Sequence, residues 1–239
     1  MARLIAFAGF ASAVMAAPLA ATDLSQANNA GGVAVRGLPA SESPAVVDFA
    51  RWVVATRDNA GMPYLIIDKV NAQVLAFDAS GQLLAAAPAL LGLAHGDQSV
   101  KGVGDKKMSA IRPQDRITPA GRFVASLGHD PHGKEILWVD YADAIALHPV
   151  VKGTPQERRA ERLASATSAD NRISYGCINV PPAFYREFVS PAFKHTSGLV
   201  YILPEEQPAR VHVGAYRRDG DRGLPAPSHL DANGNARFK

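Results

Sequence analysis

Apolar positions change their period along the chain. Across 45–57, Val46, Val47, Ala50, Val53 and Val54 recur at helical spacing behind Ser43-Pro44. That spacing predicts a helix with Ser43 as N-cap and Pro44, which has no N–H to lose, at its first position. From Tyr64 the pattern becomes β. The runs 64–69, 73–78 and 82–87 are short and β-prone, with a turn at Asp78-Ala79-Ser80-Gly81, and read as a meander. Apolar character continues over 90–94, and 123–127, 136–140, a run ending at His148 and the β-branched stretch 198–204 read as further strands. Helices are short by comparison. Thr154-Pro155-Gln156-Glu157 has the form of a capping box and predicts a helix over 155–164, and 181–189 predicts another with Phe184, Phe188 and Val189 inward. The expected fold is mainly β with short helices.

Four regions follow. Residues 1–21 combine a short positive start (Arg3), an apolar run from Leu4 to Val14 and small-residue cleavage sites, the form of a secretory signal peptide. The run is shorter than the ~20 residues a membrane span needs, so cleavage and export are expected rather than anchoring. Residues 22–61 read as a linker and the N-terminal helix, 62–205 as the main domain, and 206–239 as a polar tail. No other stretch is long and apolar enough for a span. With 47% hydrophobic and 20% charged residues the chain has the composition of a globular protein, and a formal charge of +3 over 239 residues is too weak to argue for nucleic acid.

Candidate chemistry concentrates in Arg172-Ile173-Ser174-Tyr175-Gly176-Cys177-Ile178-Asn179-Val180, which holds the only cysteine in the sequence. A thiol attacks as thiolate, so a catalytic cysteine needs a base or a cation beside it. His148, at the end of an apolar strand, is the natural partner. A lone cysteine can equally be a small core hydrophobe. Gly176 permits close backbone approach, and the polar flanks would be costly in a plain core strand; both favour the nucleophile. The cations of loop 96–116 (Lys101, Lys106, Lys107, Arg112, Arg116) are either solvated or positioned to grip carboxylates. The same choice applies to Arg158, Arg159 and Arg162. His129 and His132 sit in a Gly/Pro turn without a metal-ligand pattern, and no metal site is expected.

Ser174-Tyr175-Gly176-Cys177-Ile178-Asn179 with an upstream histidine resembles the L,D-transpeptidase catalytic domain, whose motif is a histidine, a spacer, then Ser/Thr-His-Gly-Cys-hydrophobic-Asn/Arg. Thr118-Pro119-Ala120-Gly121-Arg122-Phe123 is similar to the family's Thr-Pro-x-Gly-x-Phe segment, and Pro63–Asp78 and Leu199–Pro204 resemble its first hairpin and closing strand. Tyr175 stands where the family usually has a second histidine, and the spacer after His148 is longer. Tyrosine cannot carry a positive charge, so the base role falls on His148 alone.

The resemblance implies a β-sandwich catalytic domain over roughly 62–205. It implies cysteine-dependent acyl transfer on peptidoglycan stem peptides, with Cys177 as nucleophile and His148 as base. An oxyanion hole would lie in the Ser174, Tyr175 and Gly176 loop, and Asn179 and Arg172 would hold substrate. For Arg172 a salt bridge bracing the loop is an equal alternative. An amine of a second stem as acceptor makes a cross-link; water makes an L,D-carboxypeptidase. No cofactor is needed for this chemistry, and an exported periplasmic or cell-envelope location is expected. A non-catalytic cell-wall-binding relative is the alternative from another class.

Overall fold

The computed structural model describes residues 35–206. The expected signal segment, the linker up to residue 34 and the tail from residue 207 lie outside the described residues. Among those described, the strands are β1 (Tyr64–Asp68), β2 (Gln73–Phe77), β3 (Leu83–Pro88), β4 (Leu91–Gly92), β5 (Gly121–His129), β6 (Glu135–Asp140), β7 (Ile145–Pro149), β8 (Arg172–Ser174), β9 (Ile178–Val180) and β10 (Gly198–Ile202). Eight form one mixed sheet in the order β3-β2-β1-β10-β5-β6-β7-β9, while β4 and β8 pair separately. The fold is mainly β with short helices, as the sequence predicts.

The long strand β5 joins two halves of the sheet. Its first part, Gly121 to Ala125, pairs antiparallel with β10, and its second part, Ser126 to His129, pairs with β6. Strict period-two alternation sends one set of side chains from both halves into a common core: Leu65, Ile67, Phe123, Ala125, Leu137, Val139, Ile145, Leu147, Ile178, Val180, Val200 and Ile202. The intervening residues point outward, and each half treats them differently.

Over β1, β2 and β10 the outward set is apolar (Tyr64, Ile66, Leu75, Phe77, Leu199, Tyr201) and is covered by α1 (Pro44–Thr56) through Val46, Phe49, Ala50 and Val53. Ser43 caps α1 as the sequence predicts, its Oγ accepting from Val46 N–H at 3.3 Å, and Ser43 Oγ–H in turn donates to Asp68 at 2.7 Å. The helix is therefore part of the folded unit. Over β6, β7 and β9 the outward face carries only a small apolar cluster of Ile136, Trp138 and Ala146, with Tyr141 and Cys177 packed on it. That half is where the polar chemistry sits.

One predicted helix is broken. In place of a continuous helix over 155–164, a 3-10 turn (Pro155–Glu157) is separated from α2 (Arg159–Leu163) by Arg158 in the left-handed region, φ 47° and ψ 42°. A left-handed residue cannot continue the i to i−4 ladder, so the chain changes direction there. After β9, Pro182–Phe184 runs through a π-helical turn, Tyr185–Val189, into Ser190–Phe193, burying Phe184, Tyr185, Val189 and Phe193 in the common core. No helix among the described residues is long and apolar enough to cross a membrane.

Candidate active site

β7 and β9 run parallel, with Leu147 beside Ile178, His148 beside Asn179 and Pro149 beside Val180. Leu147, Ile178 and Val180 face the core. Alternation then puts His148 and Asn179 on the outer face, and Cys177 joins them there, packed against Ala146. The imidazole and the sulfur thus share one face of the sheet, one diagonal step apart, about 8 Å between backbone positions from ordinary strand spacings. The helical insertion between them in sequence does not separate them in space.

The loop carrying Cys177 is tightly braced. Ser174 Oγ donates to the Cys177 carbonyl at 2.6 Å and accepts from Gly176 N–H at 3.1 Å, and Thr118 Oγ1 donates to the Gly176 carbonyl at 2.8 Å while accepting from Gly92 N–H at 2.9 Å. Gly176 has φ +130°, and a Cβ there would lie 2.8 Å from both the Ile117 carbonyl oxygen and Ile145 Cδ1. Only glycine fits that backbone beside that carbonyl. Ser174 therefore orders the loop. The Gly176 amide, expected among the oxyanion donors, is already given to Ser174, because the short loop closes on its own hydroxyl. Tyr175 lies under the Arg116 guanidinium, 3.9 Å from the ring centre, a cation–π contact that ties the 96–116 loop to the nucleophile loop.

The Cys177 thiol donates to the Ala144 carbonyl at 3.7 Å. Ala144 presents that oxygen from a turn in the left-handed region (φ 54°), which the buried Asp140 carboxylate holds by accepting from the amides of Ala142 (2.9 Å) and Asp143 (3.2 Å). Burial of the sulfur raises the thiol above its ordinary pKa, against smaller opposing effects of the Ala146 N–H and the Arg159 charge. His148 moves the other way. Burial depresses the imidazole below its ordinary value, the Pro149 carbonyl partly offsets this, and the Arg159 cation adds to the depression. Both shifts favour the uncharged forms, a protonated sulfur and a neutral ring.

Two expected substrate contacts have other partners. Asn179 is 1% exposed, its Oδ1 accepting from Arg159 at 2.8 Å and its Nδ2 lying 3.1 Å from His148 Nε2, because β9 seats it directly beside His148. Arg172, 8% exposed, donates to the Lys69 carbonyl (2.7 Å) and pairs with Glu205 (2.5 Å). The salt-bridge alternative describes Arg172. Of the basic face expected on the insertion, Arg158 pairs with Glu161, Arg162 donates to the carbonyls of Glu157 and Asp170, and Arg159 turns inward against Glu157 at 2.7 Å. Sequence reading missed the inward role of Arg159 and the turn at Asp140 and Ala144. Glu157 beside Arg159 was a legible hint for the first; nothing in the sequence marks the second. No group of histidine, cysteine or carboxylate side chains among the described residues could hold a metal ion.

No protein-family model matches the chain. No curated protein matches it either. Solved structures similar to it include the catalytic domain of an L,D-transpeptidase from E. faecium, 18% identical over 59% of this chain and 96% of that one, with a TM-score of 0.31. The helical cell shape determining protein Pgp2 from Campylobacter jejuni is 12% identical over 60% of this chain and 47% of that one, at 0.38. An L,D-transpeptidase from Xylanimonas cellulosilytica is 13% identical over 59% of this chain and 60% of that one, at 0.33. At such identities and scores, inference about this chain rests on its own residues and their geometry.

Proposed function

We propose that the chain is a cysteine acyltransferase acting on peptidoglycan stem peptides. The observation that carries this reading is the shared outer face of β7 and β9, on which His148 and Cys177 stand one diagonal step apart. The resemblance of the Ser174 to Asn179 segment to the L,D-transpeptidase motif supplies the substrate class.

In the proposed reaction the Asn179 bond to Nε2 of His148 opens, Nε2 takes the thiol proton, and Cys177 Sγ bonds to the carbonyl carbon of the third stem residue. Amides of Tyr175 and Cys177 donate to the oxyanion, a contribution of about 3 kcal/mol per donor. The carbon–nitrogen bond breaks as His148 returns the proton to the leaving D-Ala amine. A thioester remains on Cys177. An amine of a second stem then attacks it and restores the thiol; water in that place gives carboxypeptidase activity. With the signal segment read at 1–21, this chemistry belongs to the periplasm or cell envelope.

A second reading is favoured by one observation. The Cys177 thiol is turned to the Ala144 carbonyl and His148 Nε2 to Asn179, so sulfur and ring each bond elsewhere, which suits a cell-wall-binding relative without turnover. A carbapenem separates the two. Under the proposal it acylates Cys177, seen as an adduct in the intact mass that Cys177→Ala lacks, and treated sacculi gain cross-links or shortened stems. Unchanged muropeptides together with no adduct leave the binding reading.

A further inference from the structure

The longer insertion between His148 and Cys177 returns to the site through one side chain. The Arg159 guanidinium is held by Glu157 at 2.7 Å and donates to Asn179 Oδ1 at 2.8 Å. A guanidinium has only donors, so the Asn179 atom it meets is the acceptor oxygen, and the amide's orientation is fixed. Its NH2 group then faces His148 Nε2 at 3.1 Å. A donor there requires a lone pair on Nε2, which puts the ring proton on Nδ1, where the Pro149 carbonyl accepts it at 2.9 Å. Three hydrogen bonds in series leave one tautomer consistent with all of them.

We propose that Arg159 is a positioning residue for His148, acting through Asn179 to hold the ring in the Nδ1–H tautomer, with the lone pair on Nε2, where a proton can arrive once the Asn179 bond opens. This rests on the reading of His148 as the base. The charge of Arg159 also opposes a second proton on the ring. The other charged groups acting on the imidazole are Asp130 and Lys134, from the turn between β5 and β6, and the thiol of Cys177 shares its face. Asp130 favours the protonated ring; Lys134 and Arg159 oppose it. The insertion thereby supplies an orienting contact from outside the motif segment.

Long-range proton–nitrogen NMR of His148 in the full chain tests this without reference to turnover. The native ring is expected as the Nδ1–H tautomer, titrating below the ordinary histidine range. Arg159→Leu should mix the tautomers and move the titration upward, and Arg159→Lys, which keeps a charged donor, should restore much of the native signal. Asn179→Asp keeps an acceptor for Arg159 but presents no donor to the ring, so it should draw a proton onto Nε2 even if Arg159→Leu fails to fold. An unchanged tautomer and titration in Asn179→Asp, or in a folded Arg159→Leu, overturns the proposal. Where the native protein is acylated by a carbapenem, Arg159→Leu should slow acylation, because the ring no longer holds one tautomer. A native protein that is not acylated sinks the acyltransferase reading while leaving the tautomer result to decide this one.

Discussion

The Cys177 thiol donates to the Ala144 carbonyl at 3.7 Å, and its hydrogen bond in this structure does not go to His148. The sulfur thus turns to a backbone oxygen while the imidazole lone pair is engaged by Asn179. Attack requires the thiol to swing from Ala144 toward the ring.

Alkylation of Cys177 by iodoacetamide should accordingly be slow at neutral pH. Burial raises the thiol, so the rate should climb only above the ordinary thiol range of about 8.5. Intact mass against pH measures this directly. A midpoint near 7 or lower would reveal an ion pair with His148 at rest and contradict the neutral site.

His148→Gln should lower carbapenem acylation of Cys177 by about 10²- to 10⁴-fold, the usual contribution of a general base. The same variant carries a stability signature. Because the folded ring titrates below its ordinary value, the unfolded chain binds the proton first as pH falls. The native protein therefore loses stability as pH drops below about 6.5, and the loss is complete once pH lies below the folded pKa. Denaturant curves at about pH 7.5 and about pH 5 should show a smaller drop in His148→Gln than in the native chain.

Gly176→Ala should disrupt the loop while leaving the sheet intact. At φ +130° the new Cβ meets the Ile117 carbonyl oxygen at 2.8 Å, and backbone cannot yield as a flexible side chain would. The expected outcome is a native-like far-ultraviolet spectrum with Cys177 alkylation and carbapenem acylation both altered. Native kinetics in both assays would show that the loop tolerates displacement of the 117–118 segment.

Lys69→Ala should cost about 3–5 kcal/mol, the usual penalty for removing one partner of a buried ion pair. The ammonium is 0% exposed and bonds to Asp97 (2.7 Å) and the Thr118 carbonyl (2.9 Å), with Glu205 at 3.3 Å, where Arg172 also pairs. Its loss leaves the two carboxylates sharing fewer cations in a largely buried site. Guanidinium denaturation reads the cost; a loss under about 1 kcal/mol would mean water replaces the ammonium without penalty.

Much of the fold was legible because its signals are local. The capped helix at Ser43-Pro44 and the alternation of β1, β2, β5 and β10 follow from periods of 3.6 and 2. Sequence alone thus determined a mainly β chain with Cys177 and His148 as its chemically distinctive pair. Only the tertiary structure decided where their neighbours spend their hydrogen bonds. The resemblance implied that Asn179 and Arg172 hold substrate, with a salt bridge as the equal alternative for Arg172; parallel register seats Asn179 against His148, and Lys69 and Glu205 bond Arg172. Arg158 and Arg159 are adjacent and chemically identical in the sequence; a left-handed backbone at the first sends one to solvent and the other to Asn179. Such outcomes depend on contacts between segments far apart in the chain, which no local period encodes.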